Sequence, residues 1–554
     1  MKIFDNFWYK PILWQQLKEY NKEVFLKDLL AGIIVGVVAL PLGIAFGIAS
    51  GVTPEKGIVS CIVAGIFCAL FGGSKFQITG PTGALIVIVS GVISRFGLEG
   101  LFIATFISGV LLLLMGIFKV GSIIKMIPYP IVIGFTSGIA VTIFSTQIKD
   151  FLGLQITQPI PINFIDKWML YFSEISTINV YAVIMSVMTI VLIKLFIKIS
   201  PRIPAFLATI IIITVTNYTL RYGFDINIVQ TIGDKFVIDS SMPKVQDIGL
   251  TVSKMRSLFS AGLTIAIFGS IVTLLSSTVA DGLRSETHNP NSELIGQGVA
   301  NIITPFFGGI PVTGAIARTL TNINNGGRTQ VVNIIHSIVL LLILLLLGNL
   351  SKHIPMACLA GILVLISYNM SDWRTFKSLL MMPRGDVVVM VVTFILTVVF
   401  DLTIAIEVGL LLAVISFVKR ISETSTISHI TDNPKKVFEE NDLGVVPKGV
   451  EIYEIEGPFF FGVAIKFDNA KSHIGERINA RIIRMRKVPF IDSTGIHNLE
   501  ILYKNCKKEK IDFILSGVTP DVLESLRKVG LAATIGEENI FDNIGSALEK
   551  VRGC

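Results

Sequence analysis

Apolar residues dominate the chain from about residue 29 to residue 418, and they come in runs long enough to cross a membrane. The runs at 101–118, 181–197, 331–347 and 387–400 are nearly free of charged residues. A helix needs about 20 apolar residues to span the hydrocarbon core of a bilayer. Together with shorter runs that glycine or proline interrupts, these runs predict a polytopic α-helical membrane protein of roughly fourteen segments. An even number places both termini on one side.

The pattern changes near residue 420, where polar residues become frequent and apolar residues return at strand and helix spacing. "GVEIYEIEGPFFFGVA" predicts two short strands, "IDFILSGV" a buried strand, and "PDVLESLRKVG" an amphipathic helix. Alternating strands and helices are typical of an α/β sandwich. We therefore predict four parts: a cytoplasmic amino-terminal segment (1–27), a membrane part (28–420), a linker (421–447) and a carboxyl-terminal domain (448–554).

Composition agrees with a membrane protein and argues against other classes. The 554 residues are 52% hydrophobic and 16% charged, with a mean hydropathy of +0.72, which is too little charge to cover a soluble protein of this length. The net charge of +7 comes from Lys and Arg scattered at the ends of apolar runs. Their placement indicates orientation in the lipid bilayer rather than nucleic-acid binding. It predicts a multi-pass protein of the cell (plasma) membrane with both termini in the cytoplasm.

The sequence carries no signal for catalysis or for a bound metal. The five cysteines lack metal-ligand spacing, and no nucleophile–base pair or phosphate-binding loop stands out. We expect no catalytic residue, no metal site and no cofactor, and we predict that the chain is not an enzyme.

Two similar interruptions break the apolar pattern in opposite halves of the chain. "LFGGSKFQITGPTGALIVIVSG" and "PFFGGIPVTGAIARTLTN" both contain Phe-Gly-Gly, a short extended segment, and a Thr-Gly step that opens a new helical run. Seven segments per half is an odd number, so a duplicated half would enter the membrane with inverted topology. Inverted repeats with interrupted helices are common in secondary transporters, which bind substrate near the bilayer midplane.

The interruptions predict an anion-binding site. Non-helical backbone at membrane depth survives only where it lines a cavity or is buried in protein, and a helix amino terminus offers free N–H groups and roughly half a positive charge. The residues expected at the two helix starts are Thr82, Gly83 and Ala84 in the first break and Gly314, Ala315, Ile316 and Ala317 in the second, with Arg318 adding a full charge. The alternative is that Gly-Pro only kinks a span and Arg318 snorkels to an interface.

Four motifs together resemble the SulP (sulfate permease) family of anion transporters: "VVALPLGIAFGIASGVTPEKG", "FGGSKFQITGPTGALIV", "PFFGGIPVTGAIART" and "VPFIDSTGI". The resemblance covers the chain from about residue 24 to its end. It implies a seven-plus-seven inverted repeat divided into core and gate domains, a carboxyl-terminal STAS domain, a homodimer and an elevator-like movement of the core. It also places the anion between the starts of the third and tenth helices and adds Phe46 as an aromatic residue of the pocket.

Ion coupling is where the sequence departs from that family. Cation-coupled members carry a carboxylate on the eighth helix, and here the matching position in "FGSIVTLLSS" is Val272. An apolar residue cannot bind sodium or accept a proton, so we expect anion movement without a strict sodium requirement. Glu407, inside the last apolar run, is a candidate for coupling, although a structural hydrogen bond is the alternative role.

The carboxyl-terminal "DSTG" resembles the turn that is phosphorylated in bacterial anti-sigma-factor antagonists, which places Ser493 at the phosphorylated position. Its hydroxyl could instead cap the following helix. The resemblance implies a cytosolic regulatory partner at this domain.

The favoured function is secondary transport of an inorganic anion, sulfate or a similar oxyanion. The small residues Gly83 and Ala317 leave room for more than a chloride ion. A bicarbonate or dicarboxylate carrier, an anion exchanger or channel of the same fold, and a membrane-tethered signalling protein are the alternatives.

Overall fold

The computed structural model describes residues 9, 11–124, 128–158, 160–161, 163–199, 204–223, 229–237, 240–400, 402–429, 446–461 and 478–552, apart from a few side chains inside these ranges. The chain forms two compact units, residues 1–410 and 411–554.

The first unit is helical, with two very short strands. Its elements in chain order are α1 (Ile12–Gln16), α2 (Lys22–Ala49), α3 (Pro54–Phe71), β1 (Thr79–Gly80), α4 (Gly83–Ile117), α5 (Gly121–Ile124), α6 (Tyr129–Leu152), α7 (Phe164–Ser173), α8 (Val180–Ile199), α9 (Ala205–Gly223), α10 (Ile232–Lys235), α11 (Val252–Arg284), α12 (Pro290–Ile303), β2 (Thr313–Gly314), α13 (Ile316–Asn324), α14 (Val331–Leu347), α15 (Met356–Met370), α16 (Trp373–Leu379), α17 (Arg384–Val399) and the start of α18 (Leu402–Thr424). Short 3-10 turns occupy Leu17–Glu19, Ile175–Thr177, Thr304–Phe307 and Gly348–His353.

Eight helical stretches among the described residues are long and apolar enough to cross a membrane. They are Lys22–Ala49, Pro54–Phe71, Gly83–Ile117, Tyr129–Leu152, Val180–Ile199, Ala205–Tyr222, Val252–Arg284 and Met356–Leu379. The longest, α4, is two helices joined at Gly97, which has a φ of +71° that glycine tolerates. The total of about fourteen segments stays a prediction.

The helices of the first unit pack in two groups. In the first helix group, α4 lies against α11 and α12, α3 lies against α2, α12 and α14, and α13 lies against α2 and α11. In the second helix group, α6 packs on α15 and α17, α15 packs on α8, and α8 packs on α9. Both halves of the sequence contribute to each group, as an intertwined repeat requires.

The second unit contains a five-stranded sheet flanked by helices. Its strands are β3 (Thr426–His429), β4 (Val450–Glu456), β5 (Ala480–Lys487), β6 (Asp512–Ser516) and β7 (Ile540–Phe541), in spatial order β3-β4-β5-β6-β7. Only β3 is antiparallel to its neighbour. The helices are α19 (Ser493–Glu509), α20 (Pro520–Lys528), α21 (Leu531–Ile535) and α22 (Ile544–Arg552), with a 3-10 turn at Glu537–Asn539.

Two local features of this unit differ from the sequence prediction. The segment predicted as a second strand after β4 forms only an isolated bridge between Phe459 and Ile491 in its described part. The reason is local, because Gly457 adopts a φ of +90° and Pro458 has no N–H to donate to a ladder. The predicted linker contains β3 and the end of α18, and its residues 430–445 lie outside the described ranges.

Close packing of α2 on α3 yields a stability prediction. A Cβ atom added to Gly57 would lie 2.0 Å from the backbone carbonyl oxygen of Gly43, whereas one added to Gly91 in α4 would meet nothing within 4 Å. We expect Gly57→Ala to destabilise the protein by about 1–3 kcal/mol through overpacking. The matched variant Gly91→Ala should be neutral or slightly stabilising. Thermal unfolding of the two purified variants in detergent measures the difference, and equal melting temperatures would contradict the packing.

Candidate functional site

The two sequence interruptions meet in space. Thr79 and Gly80 of β1 pair antiparallel with Gly314 and Thr313 of β2. The hydroxyls of Thr82 and Thr313 share a hydrogen bond of 3.0 Å directly beyond the ladder. Segments that lie more than 230 residues apart in the chain therefore start two helices, α4 and α13, from one common point.

Both helices begin without a side-chain cap. Neither Thr82 before α4 nor Ala315 before α13 makes a capping hydrogen bond. The first backbone bond of α4 runs from Leu85 N–H to the Thr82 carbonyl, at 3.1 Å, and that of α13 from Thr319 N–H to the Ala315 carbonyl, at 2.9 Å. The N–H groups that precede these bonds have no acceptor inside their own helix. They belong to Thr82, Gly83 and Ala84 and to Ile316, Ala317 and Arg318.

The expectation of free amides at Gly314 and Ala315 is wrong. Gly314 N–H donates to Thr273 Oγ1 at 3.1 Å, and Ala315 N–H donates to the Ile78 carbonyl at 2.8 Å. The Ala315 donor is used in pairing with the first break, and the Gly314 donor is used by α11. The second break therefore offers its amides two residues later than the sequence pattern suggested, from Ile316 onward.

Arg318 is buried at the junction of the breaks. Its side chain is 1% exposed, and its guanidinium donates to Cys61 Sγ at 3.1 Å and to the Pro81 carbonyl at 3.3 Å. A Cβ atom on Gly80 would lie 2.1 Å from Arg318 Nη1. Glycine at position 80 thus makes the space that the guanidinium occupies, and snorkelling of Arg318 to an interface does not occur. Cys61 is a contact of this arginine that the sequence pattern did not reveal.

The wall beside Gly83 is apolar. A Cβ atom on Gly83 would lie 3.0 Å from Met370 Sδ and 3.6 Å from Phe46 Cε1 and from Ile143 Cδ1. Phe46 comes from α2 in the first helix group, whereas Ile143 and Met370 come from α6 and α15 in the second. Phe46 thus lies beside Gly83, and its role in anion binding stays a prediction. Ala317 on the opposite helix is exposed.

A buried carboxylate that the sequence analysis missed holds the first break. Glu293 of α12 is 2% exposed. Its Oε2 accepts the N–H groups of Gly73 and Ser74, both at 2.8 Å, and its Oε1 accepts Gln77 Nε2 at 2.8 Å. The Gln77 amide in turn accepts the Ser277 hydroxyl. These bonds replace the helical ones that the Gly-Gly break removes.

The same helix also holds the second break. Val312 directly precedes β2. Its carbonyl accepts hydrogen bonds from Gln297 Nε2 at 2.5 Å and from Asn301 Nδ2 at 3.0 Å, and its N–H donates to Asn301 Oδ1 at 3.0 Å. Glu293, Gln297 and Asn301 are spaced four residues apart, so they lie on one face of α12. That four-residue spacing is visible in the sequence and could have identified the buried polar face of α12.

Of the two candidate coupling positions, the structure describes the side chain of Val272 but not that of Glu407. Val272 is 9% exposed on α11 and borders a small apolar groove with Phe135, Phe268 and Ile131. Glu407 belongs to α18, and its side chain lies outside the described residues. Within the described ranges, no group of three or more His, Cys, Asp or Glu side chains is placed to hold a metal ion.

A larger polar cavity, of about 320 Å³, lies away from the two breaks, where α6 and α9 end. Its charged lining is largely paired: Arg221 binds Asp234 at 2.8 Å, and Lys235 binds Asp150 at 2.7 Å. The Arg221 guanidinium lowers the pKa of Asp234 to about 2. The cavity shares no residue with the two helix starts.

In the second unit, Ser493 is exposed at the first position of α19. The helix is capped by Asp492, whose Oδ1 accepts Gly495 N–H at 2.8 Å and whose Oδ2 accepts Phe461 N–H at 3.1 Å. The alternative in which the Ser493 hydroxyl caps the helix is therefore wrong.

Two family profiles match the chain. The one described as the sulfate permease family matches residues 25–393, and the one described as a STAS domain matches residues 445–547. The YvdB protein of Bacillus subtilis (strain 168) is 40% identical over 529 residues, which are 95% of this chain and 98% of that protein. The bicarbonate transporter BicA of a Synechocystis species is 28% identical over 507 residues, covering 89% of this chain and 88% of BicA.

A solved structure supports the fold. Murine Solute Carrier 26 family member A9, an anion transporter captured in the inward-facing state, superimposes with a TM-score of 0.87 at 19% identity, over 98% of this chain and 94% of that chain. At this identity the likeness concerns the fold alone. It confirms the predicted helical membrane architecture, and the STAS profile match confirms the carboxyl-terminal domain.

Proposed function

The chain belongs to the sulfate permease family, and on that premise we propose that it carries an oxyanion bound between the starts of α4 and α13. It is a membrane transporter and not an enzyme, as the sequence predicted. The observation that carries the proposal is the antiparallel pairing of β1 with β2, because it brings two uncapped helix starts to one point.

Electrostatics favours a negatively charged ligand at this point. Each helix amino terminus contributes roughly half a positive charge, so the two together supply about one unit. Arg318 adds one more, and the structure holds it within hydrogen-bond distance of the Pro81 carbonyl, directly before α4. The free N–H groups are the direct ligands in this proposal, and the guanidinium acts as a fixed neighbouring charge.

The proposed substrate is sulfate or an oxyanion of similar size. Gly83 and Ala317 present no side chain beyond a methyl group, so several oxygens of one ligand can approach the backbone. The family profile carries the name sulfate permease, and BicA, a relative over most of the chain, is named a bicarbonate transporter. Bicarbonate is therefore the second candidate, since the same amides suit any small oxyanion.

Division of the site between the helix groups supports an elevator-type movement. The two helix starts, Arg318 and Phe46 belong to the first helix group, whereas Ile143 and Met370 belong to the second. The polar part of the site can therefore travel as one body past an apolar surface. We place the protein in the cell membrane as a homodimer with both termini in the cytoplasm, and Ser493 is the proposed contact for a regulatory partner.

Removal of the arginine tests the site directly. Arg318→Ala should abolish uptake of radiolabelled sulfate into proteoliposomes, because the anion loses its neighbouring positive charge. The control Arg328→Ala removes an exposed arginine ten residues later and should leave uptake unchanged. Bicarbonate, chloride, nitrate and a dicarboxylate are measured beside sulfate. Full uptake of every anion by Arg318→Ala would contradict the proposed site.

A glycine variant separates binding from folding. Gly80→Ala should raise the KM for the anion about tenfold or more, because the new methyl group displaces the charged guanidinium, yet melting should change little since a flexible side chain can move aside. Gly91→Ala is the matched control. An unchanged KM for Gly80→Ala in a stably folded protein would show that the position of Arg318 is unimportant.

Coupling is tested by exchanging cations. Because Val272 offers no carboxylate, uptake should be the same within about twofold when sodium is replaced by choline. The substitution Val272→Asp provides the comparison, since it adds the acidic ligand that cation-coupled relatives have. Uptake by the unmodified protein that requires sodium would contradict this prediction.

A further inference from the structure

The polar face of α12 connects the two halves of the proposed anion site. The α12 stripe, defined as Glu293, Gln297 and Asn301, is almost fully buried. Glu293 bonds the backbone upstream of β1, and Gln297 and Asn301 bond the backbone directly upstream of β2. Glu293 also bonds Gln77, which lies inside the first break. The stripe makes two further bonds outside the breaks, from Cys68 Sγ to Gln297 Oε1 at 3.8 Å and from Asn301 Nδ2 to the Gln297 carbonyl at 3.0 Å.

The α12 stripe holds its three side chains at fixed separations. Its three side chains are separated by four residues each, so they extend over roughly 12 Å along one helix. The helix fixes that length through its own hydrogen bonds, and α12 packs closely on α3 and α4 through Gly296 and Gly298. The break upstream of α4 and the break upstream of α13 are thus both attached to α12, at two different positions along the helix axis.

Gln77 extends this connection into the site. Its amide bonds Glu293 and Ser277, and it lies so close to Gly314 of β2 that a Cβ atom there would be 2.1 Å from Gln77 Nε2. A shift of Glu293 would move the Gln77 amide and therefore the strand that precedes α13. The carboxylate has neutral donors only and no ion-pair partner among the described residues, which fits a positioning role better than a role as a counter-charge.

We propose that Glu293, Gln297 and Asn301 are positioning residues that set the separation of the two helix starts and thereby the affinity for the anion. The inference rests on the proposed anion site. A stripe that only satisfied buried backbone groups would affect how much protein folds, whereas a stripe that positions the site affects the KM of every folded molecule.

The first test removes the hydrogen bonds of the Gln297 side chain, to the Val312 carbonyl and from Cys68 Sγ, with little change in side-chain size. Gln297→Met keeps length and burial but loses the donor to the Val312 carbonyl, and we expect the KM for sulfate to rise about tenfold with Vmax per folded molecule within about twofold. Gln147→Met is the matched control. Gln147 is buried on α6, and within the described part of the chain its side-chain nitrogen bonds only Thr146 Oγ1. Gln297→Asn, which keeps the amide but ends one methylene short, serves beside it in case the methionine variant fails to fold.

The second test separates position from charge. Glu293→Gln retains an oxygen for Gly73 and Ser74, and rotation of the Gln77 amide restores the remaining bond, so its KM should stay within about twofold of the parent value. Glu293→Met loses all three bonds and should raise KM about tenfold. All uptake is measured with the full chain in proteoliposomes, with sulfate, and with bicarbonate where the parent protein carries it better.

The outcomes are distinguishable. Unchanged KM in Gln297→Met, Gln297→Asn and Glu293→Met, or equal losses in Glu293→Gln and Glu293→Met, would overturn the positioning role. If those variants have normal KM while Arg318→Ala is inactive, only the role of the stripe is refuted. If Arg318→Ala transports normally, the anion site itself is refuted.

Discussion

The structure depends on one constraint: an unpaired backbone group inside a membrane protein costs several kcal/mol, so each broken helix must find new partners. In each break, buried side chains of neighbouring helices accept N–H groups of the backbone, from Glu293 and Asn301 on α12 to Thr273 on α11. Three other helices have their starts capped by the side chains of Asn21, Thr251 and Asn289, whereas α3, α6 and α14 also begin without a side-chain cap. The starts of α4 and α13 are left uncapped. What distinguishes α4 and α13 is that the pairing of β1 with β2 brings their two starts to one point.

Arg318 illustrates how a charge can be kept at such a place. Its guanidinium bonds a carbonyl and a thiol rather than a carboxylate. A carboxylate partner would cancel the positive potential on which anion binding relies, whereas neutral acceptors fix the geometry and leave the charge uncompensated. Gly80 is required by the same arrangement, because any side chain there would occupy the space of the guanidinium.

The sequence predicted the elements of the site better than their hydrogen bonds. Helix starts near Thr82 and Ile316, the apolar character around Val272 and the α/β domain follow from local patterns, since proline, glycine and periodicity act over a few residues. The N–H of Ala315 was assigned wrongly because its partner, Ile78, is distant in sequence and only the fold brings them together. Glu293 was missed for the same reason, although its spacing from Gln297 and Asn301 marks a polar helix face. Ser493 was correctly placed at a helix start, but the neighbouring Asp492 makes the cap.

The two helix groups contact the site around Gly83 in different ways, which explains how such a site could move at a low cost in free energy. Among the described residues, the hydrogen bonds that shape the two helix starts lie within the first helix group, so none of them has to break if that group slides. The second helix group touches the site through Ile143 and Met370, which offer dispersion contacts only. Such contacts are worth about 0.1–0.2 kcal/mol per atom pair and are readily exchanged for others of the same kind. Methionine suits this surface because its flexible side chain adapts to a changing neighbour. An anion held wholly by one group and sealed by apolar side chains of the other can thus cross without losing its ligands, which is the physical requirement that alternating access sets.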